Sequence, residues 1–166
     1  MTLATANVPA TIRSMVILGV RPTADIAWLA IVEGREALPL PDRFQLNNEP
    51  RPASLLSGLD EAGLLLQRHN IDGVAVVDAH SNKKPKSYKV ARRRLILESL
   101  LELAAARADV EYHVLSPQAI QSALDLPTRR IQDHVDSVIE GAGARWSQRG
   151  PAALAALALA VQKAEG

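Results

Sequence analysis

The sequence predicts an α/β domain. Two observations carry this. Three apolar, strand-length segments come first, separated by breaks of hairpin size. Segments with strand and helix periodicity then alternate to the end of the chain. The order β-β-β-α-β-α-β-α-α-α implies a mixed five-stranded sheet with helices on both faces. At 166 residues, the chain is one domain at about 100–200 residues each. Residues 1–14 are expected to form a tail and residues 15–166 the domain.

Met15 to Val20 is a continuous, β-branched apolar run and reads as a buried strand. Arg21-Pro22-Thr23 interrupts it as a turn. Ile26 to Val32 is a second strand, and Glu33-Gly34-Arg35 a hairpin connection. A third strand spans about Glu36 to Leu46, where Pro39 and Pro41 argue for an edge position. Ser54 to His69 carries Leu55, Leu56, Leu59, Ala62, Leu65 and Leu66 at helical spacing. Val74 to Val77 is a central strand. His80 to Ser87 is a polar, basic loop. Tyr88 to Ala106 is an amphipathic helix with a stripe of Val90, Leu97, Leu100, Leu101 and Ala104. Glu111 to Leu115 is another strand. Ser116 is placed to cap a helix over Gln118 to Leu124, with Pro117 at its first position. A helix over Thr128 to Glu140, with Thr128 as cap, a loop over Gly141 to Gly150 and an alanine-rich helix over Pro151 to Lys163 complete the chain.

Composition excludes several functions. Hydrophobic residues make up 48%, enough for a packed core and against disorder. The absence of cysteine removes disulfide scaffolds, cysteine nucleophiles, zinc ribbons and iron–sulfur sites. No segment approaches the ~20 apolar residues of a membrane span, and no secretory signal is evident, so the expected location is cytoplasmic. Aromatics at 3% argue against a stacking platform for single strands. His69, His80, His113 and His134 include no pair spaced i,i+4, so no zinc helix is expected. Trp28 is expected in the core, and Trp146, in the loop Gly141 to Gly150, is either docked on the core or an exposed anchor for a partner.

Five segments together resemble the RuvC-type Holliday-junction resolvases of the ribonuclease H-like fold. Val16-Ile17-Leu18-Gly19-Val20-Arg21-Pro22 resembles their first strand and turn. Ile71 to Val77 resembles their fourth strand. Val110 to Val114 with Pro117-Gln118-Ala119-Ile120 resembles the fifth strand and next turn. Thr128 to Val135, with Ile131-Gln132, resembles the following helix. Gly150 to Ala160 resembles the last helix. The resemblance implies two divalent ions held by four carboxylates, which activate water against a phosphodiester. At the implied positions this chain differs. Arg21 stands for the first aspartate and Val77 for the glutamate, and no acid lies between Arg149 and Lys163. Asp78 would need a one-residue slip that turns its side chain to the other sheet face. Arg21 would repel cations. The expectation is a degenerate domain, a pseudo-nuclease without catalytic residues, metal or cofactor.

Charge patterning suggests what remains. The net charge is +1, yet residues 79–97 hold seven basic residues and no acid: Lys83, Lys84, Lys86, Lys89, Arg92, Arg93 and Arg94. The rest of the chain carries a net charge of −6. In the resembled family this segment faces DNA beside the cleft. Nucleic acid, DNA and branched DNA foremost, is therefore the expected partner, contacted by Arg21, Lys83, Lys84, Lys86, Lys89, Arg92 and Arg93. The bland alternative is a solvated charged segment, with Arg92 to Arg94 opposing Glu98 and Glu102. Arg21 has two readings: a cation held for a phosphate, or a plug paired with Asp25 or Asp78. Two rival functions stand beside the binding module. One is a protein-interaction or scaffolding subunit, homodimeric as the resemblance implies. The other is a nuclease with relocated ligands, using Asp78, Asp133 and Asp136.

Overall fold

The structure is a computed structural model and describes residues 15–46, 49–78, 87–141 and 143–165. The expected tail, residues 1–14, and the loop cations Lys83, Lys84 and Lys86 lie outside the described residues. The strands are β1 (Val16–Pro22), β2 (Ile26–Glu33), β3 (Glu36–Ala37), β4 (Arg43–Gln45), β5 (Gly73–Val77) and β6 (Glu111–Leu115). The helices are α1 (Pro52–Arg68), α2 (Tyr88–Arg107), α3 (Pro117–Leu124), α4 (Val135–Val138) and α5 (Trp146–Glu165).

The sheet runs β3-β2-β1-β5-β6, with β4 also paired to β2. β1 is antiparallel to β2 and parallel to β5, and β5 is parallel to β6. Six strands replace the expected five because Pro39 and Pro41 cannot donate to a ladder. They divide the third strand into β3 and β4, around a cis Leu40–Pro41 bond. The sheet is otherwise mixed as expected. α1 and α2 cover one face, over Leu18, Val20, Val74 and Val76. α3, α4 and α5 cover the other, over Ile17, Ala75 and Val77.

α5 lies against β1, β2 and β5. Every residue from Arg149 to Val161 is buried, which explains a helix apolar on all sides. Gly19 makes the approach possible: a Cβ there would lie 1.8 Å from the Ala152 carbonyl oxygen. The helix begins at Trp146, five residues before the expected start, so Pro151 sits inside it. Arg149 stabilises this early turn. It is fully buried, with Nε donating to the Leu29 carbonyl (2.8 Å) and Nη2 to the Leu38 carbonyl (2.5 Å). Its guanidinium lies 5.7 Å from the Trp146 ring centroid. The Trp146 indole donates to Asp136 (3.2 Å), so this side chain is docked rather than free. Trp28 is buried as expected.

The expected helix over Thr128 to Glu140 is shorter, a 3-10 turn at Ile131–His134 followed by α4. Thr128 does not cap it; its hydroxyl pairs with the His134 ring at 2.8 Å. Leu56, expected on the buried stripe of α1, is 65% exposed.

Candidate nucleic-acid interface

The parallel strands β1, β5 and β6 end at one edge of the sheet, where α/β folds commonly place ligands. Arg21 is there on β1, paired with Trp28 of β2, and not in a turn as expected. Side chains alternate along a strand, so Arg21 shares a face with Ile17 and Gly19, the face covered by α5. Val77, at the end of β5, has the same orientation. The start of α5 closes the third side.

These elements enclose a cleft of about 310 Å³. Its polar lining is Arg21, Arg129, Gln132, Ser147 and Gln148, and its apolar lining includes Val77, Pro117 and Pro151. Among the described residues no carboxylate lines it. Arg21 is half-buried and tied to α5. Its Nη1 donates to the Gln148 side chain (2.7 Å) and to the Gln148 carbonyl (3.3 Å). Burial lowers the Arg21 pKa, yet an arginine remains a cation at neutral pH. Asp25, one expected partner, instead faces Arg93.

Larger grooves flank α1, but their charge is mixed. Glu49 and Glu61 accompany Arg51 at the start of the helix, and Asp60 accompanies Arg107 between α1 and α2. The cleft at the strand ends is of uniform sign, which favours it as a binding site.

The described basic residues of α2 are not equivalent. Arg93 is held by two carboxylates, Nη1 to Asp25 (2.8 Å) and Nη2 to Glu49 (2.6 Å). Lys89 lies 3.6 Å from the same Glu49. The Arg93 hydrogen bond, its charge and that of Lys89 hold the Glu49 carboxyl below its ordinary range. Arg93 is thus partly neutralised, while Arg92 on the next position is exposed. Asp133 faces Arg130 (3.5 Å) and Asp136 accepts from Trp146, so the pair serves local contacts.

The sequence matches no family model and no curated protein. Solved structures do match. Thermus thermophilus RuvC in complex with a Holliday junction substrate is 19% identical with a TM-score of 0.69, covering 92% of this chain and 97% of that one. T. thermophilus RuvC alone is 20% identical with the same TM-score and coverage. The yeast mitochondrial Holliday junction resolvase Ydc2 is 13% identical with a TM-score of 0.62, covering 96% of this chain and 82% of that one. This chain has the RuvC resolvase fold.

A RuvC fold raises the question of divalent metal, and the donor set here does not fit one. Magnesium takes oxygen ligands, carboxylates above all. The cleft instead presents two guanidiniums, two amides and a hydroxyl. Among the described residues, no group of three or more His, Asp or Glu could hold a metal ion. The relocated set of Asp78, Asp133 and Asp136 is therefore not assembled.

Arg129, Gln132, Ser147 and Gln148 were not singled out by sequence reasoning. Arg129 and Gln132 lie in the segment Thr128 to Val135 that carries the family resemblance, the one signal that points near the cleft. Ser147 and Gln148 come from a helix start that carries no motif.

Proposed function

We propose that this chain is a non-cleaving nucleic-acid-binding domain built on the RuvC fold. The observation that carries it is the cleft at the ends of β1 and β5, which is lined by Arg21 and Arg129 and, among the described residues, by no carboxylate. Phosphodiester hydrolysis of the kind the resemblance implies needs metal-bound water, and this lining repels cations. It attracts phosphate instead. Lys89, Arg92 and Arg93 at the start of α2 add further cations for phosphate, and Lys83, Lys84 and Lys86 precede them in sequence. The solved neighbours include a RuvC bound to a Holliday junction, which makes branched DNA the first substrate to try. The cytoplasm is the proposed location; among the described residues no helix is long and apolar enough to cross a membrane.

The test is an equilibrium titration with a four-way junction, a linear duplex and a single strand at two salt concentrations, with magnesium present. Salt-sensitive binding, weakened in Lys83→Ala/Lys84→Ala/Lys86→Ala and without strand cleavage, is the expected result. Magnesium-dependent cleavage, or no binding to any of the three, overturns it.

A second reading, a homodimeric interaction subunit, is favoured by one observation. Leu56 and Leu64 on α1 and Leu95 and Leu103 on α2 are all about half exposed or more. A concentration-dependent sedimentation coefficient that Leu56→Asp and Leu103→Asp abolish would support it, and a monomer at all concentrations would end it.

A further inference from the structure

We infer that the strand-end cleft is a metal-free phosphate pocket in which Arg21 and Arg129, assisted by Gln132, hold the non-bridging oxygens of one nucleic-acid phosphate. The inference rests on the nucleic-acid reading above and adds the recognised chemical group and the residues that hold it.

Arg21 is pre-organised for this. It sits on a strand paired with β2, and its Nη1 is tied to Gln148. That bond fixes the guanidinium plane and occupies one corner. The Nε and Nη2 hydrogens donate to no group of the described residues. They form the side-on fork that matches two oxygens of a phosphate.

The other polar groups of the cleft are equally available. Among the described residues, the Arg129 guanidinium, the Gln132 amide and the Ser147 hydroxyl have no hydrogen-bond or ion-pair partner. Arg129 is exposed at the rim, so it can move to meet a ligand. Pro151 has no N–H, so the Ser147 carbonyl also loses its helical donor. Two cations without a facing carboxylate create a positive potential that only an anion relieves. Val77 and Pro117 give the cleft an apolar wall, beside which charge–charge contact is stronger than in open water. A volume of about 310 Å³ lies at the lower end of the range for ligand pockets and admits a phosphate with its attached sugar. A phosphate at a strand end and one inside a strand both present the required oxygens.

The experiment uses the full chain in EDTA, with three probes: inorganic phosphate, a 5′-phosphorylated single strand and the same strand ending in hydroxyl. NMR follows the arginine Nε–H signals while phosphate is titrated. The expected result is a saturable shift of the Arg21 and Arg129 signals but not of Arg92. Arg129→Ala should weaken strand binding by roughly tenfold or more, the scale of a charged hydrogen bond. Arg129 is exposed and has no partner among the described residues, so this variant is expected to fold even if Arg21→Ala does not. A loss confined to the phosphorylated strand assigns the pocket to strand ends, and an equal loss with both strands assigns it to internal linkages. Absent or equal shifts across all three arginines, or a requirement for magnesium, overturn the pocket. Wild-type affinity in both Arg21→Ala and Arg129→Ala overturns it while leaving the nucleic-acid reading intact. Saturable phosphate shifts without binding to any nucleic acid would leave the pocket and end that reading.

Discussion

Replacing Gly19 by alanine tests the packing on which the cleft depends. An added Cβ would meet the Ala152 carbonyl oxygen at 1.8 Å and its carbon at 2.5 Å. Carbon and oxygen ordinarily approach no closer than about 3.3 Å, so α5 must retreat by about 1.5 Å or β1 must bend. The obstruction is backbone, which cannot rotate away as a side chain can. It also belongs to a helix whose 13 residues from Arg149 to Val161 are all buried. Overpacking costs about 1–3 kcal/mol in ordinary cores, and we expect at least about 3 kcal/mol here. At about 2–4 °C per kcal/mol for a chain of this size, Tm should fall by about 6–12 °C. The assay is urea and thermal denaturation of Gly19→Ala beside Gly63→Ala. A Cβ on Gly63 meets nothing within 4 Å, and alanine in the interior of α1 should gain about 0.5–1 kcal/mol. A retreating α5 also carries Gln148 away from Arg21, so phosphate binding should weaken. A Gly19→Ala variant within about 0.5 kcal/mol of wild type would refute the close approach of α5 and β1.

Three further outcomes are expected. Glu49→Gln should raise affinity for duplex and steepen its salt dependence by about one unit of slope, because it frees Lys89 and leaves Arg93 paired with Asp25 alone; unchanged affinity would remove α2 from the interface. Tyr112 is half-buried, and burial, then Glu98 and Glu102, push its phenol well above the ordinary tyrosine value. Its contribution to stability is therefore intact below about pH 10 and is lost as pH rises towards the higher folded value. In Tyr88→Phe, Tyr112 is the only tyrosine left; phenolate absorbance should appear only well above pH 10, and ionisation at the ordinary value would show Tyr112 to be solvated. Ser116→Ala should cost about 1 kcal/mol in chemical denaturation, since its hydroxyl accepts from Ala119 N–H (3.1 Å) at the start of α3; no loss would mean that water replaces this cap.

The sequence by itself determined the α/β class, the order of strands and helices, and most of the core. Those depend on local periodicity: β1, β2 and β5 are short β-branched runs, and the stripe of α2 repeats at helical spacing. It also determined that Arg21 and Val77 stand where the family resemblance implies acids, and that α5 has no acid between Arg149 and Lys163. The tertiary structure decided what surrounds those positions. Arg21 reads as a turn residue locally, because a proline follows it. Pairing with β2 makes it a strand residue facing α5. Asp25, four residues away, is drawn to Arg93 by a contact across 68 residues. Gln148 reaches Arg21 across 127. The early start of α5, with Pro151 inside it, is invisible to propensity because a buried arginine bonded to two distant carbonyls offsets the missing hydrogen bond. Ser147 likewise carries no motif, and the resemblance of the segment that holds Arg129 and Gln132 gives these two side chains no role. The three form a cationic cleft only because folding brings the 3-10 turn and the first turn of α5 to the ends of β1 and β5, and such proximity has no trace in local sequence.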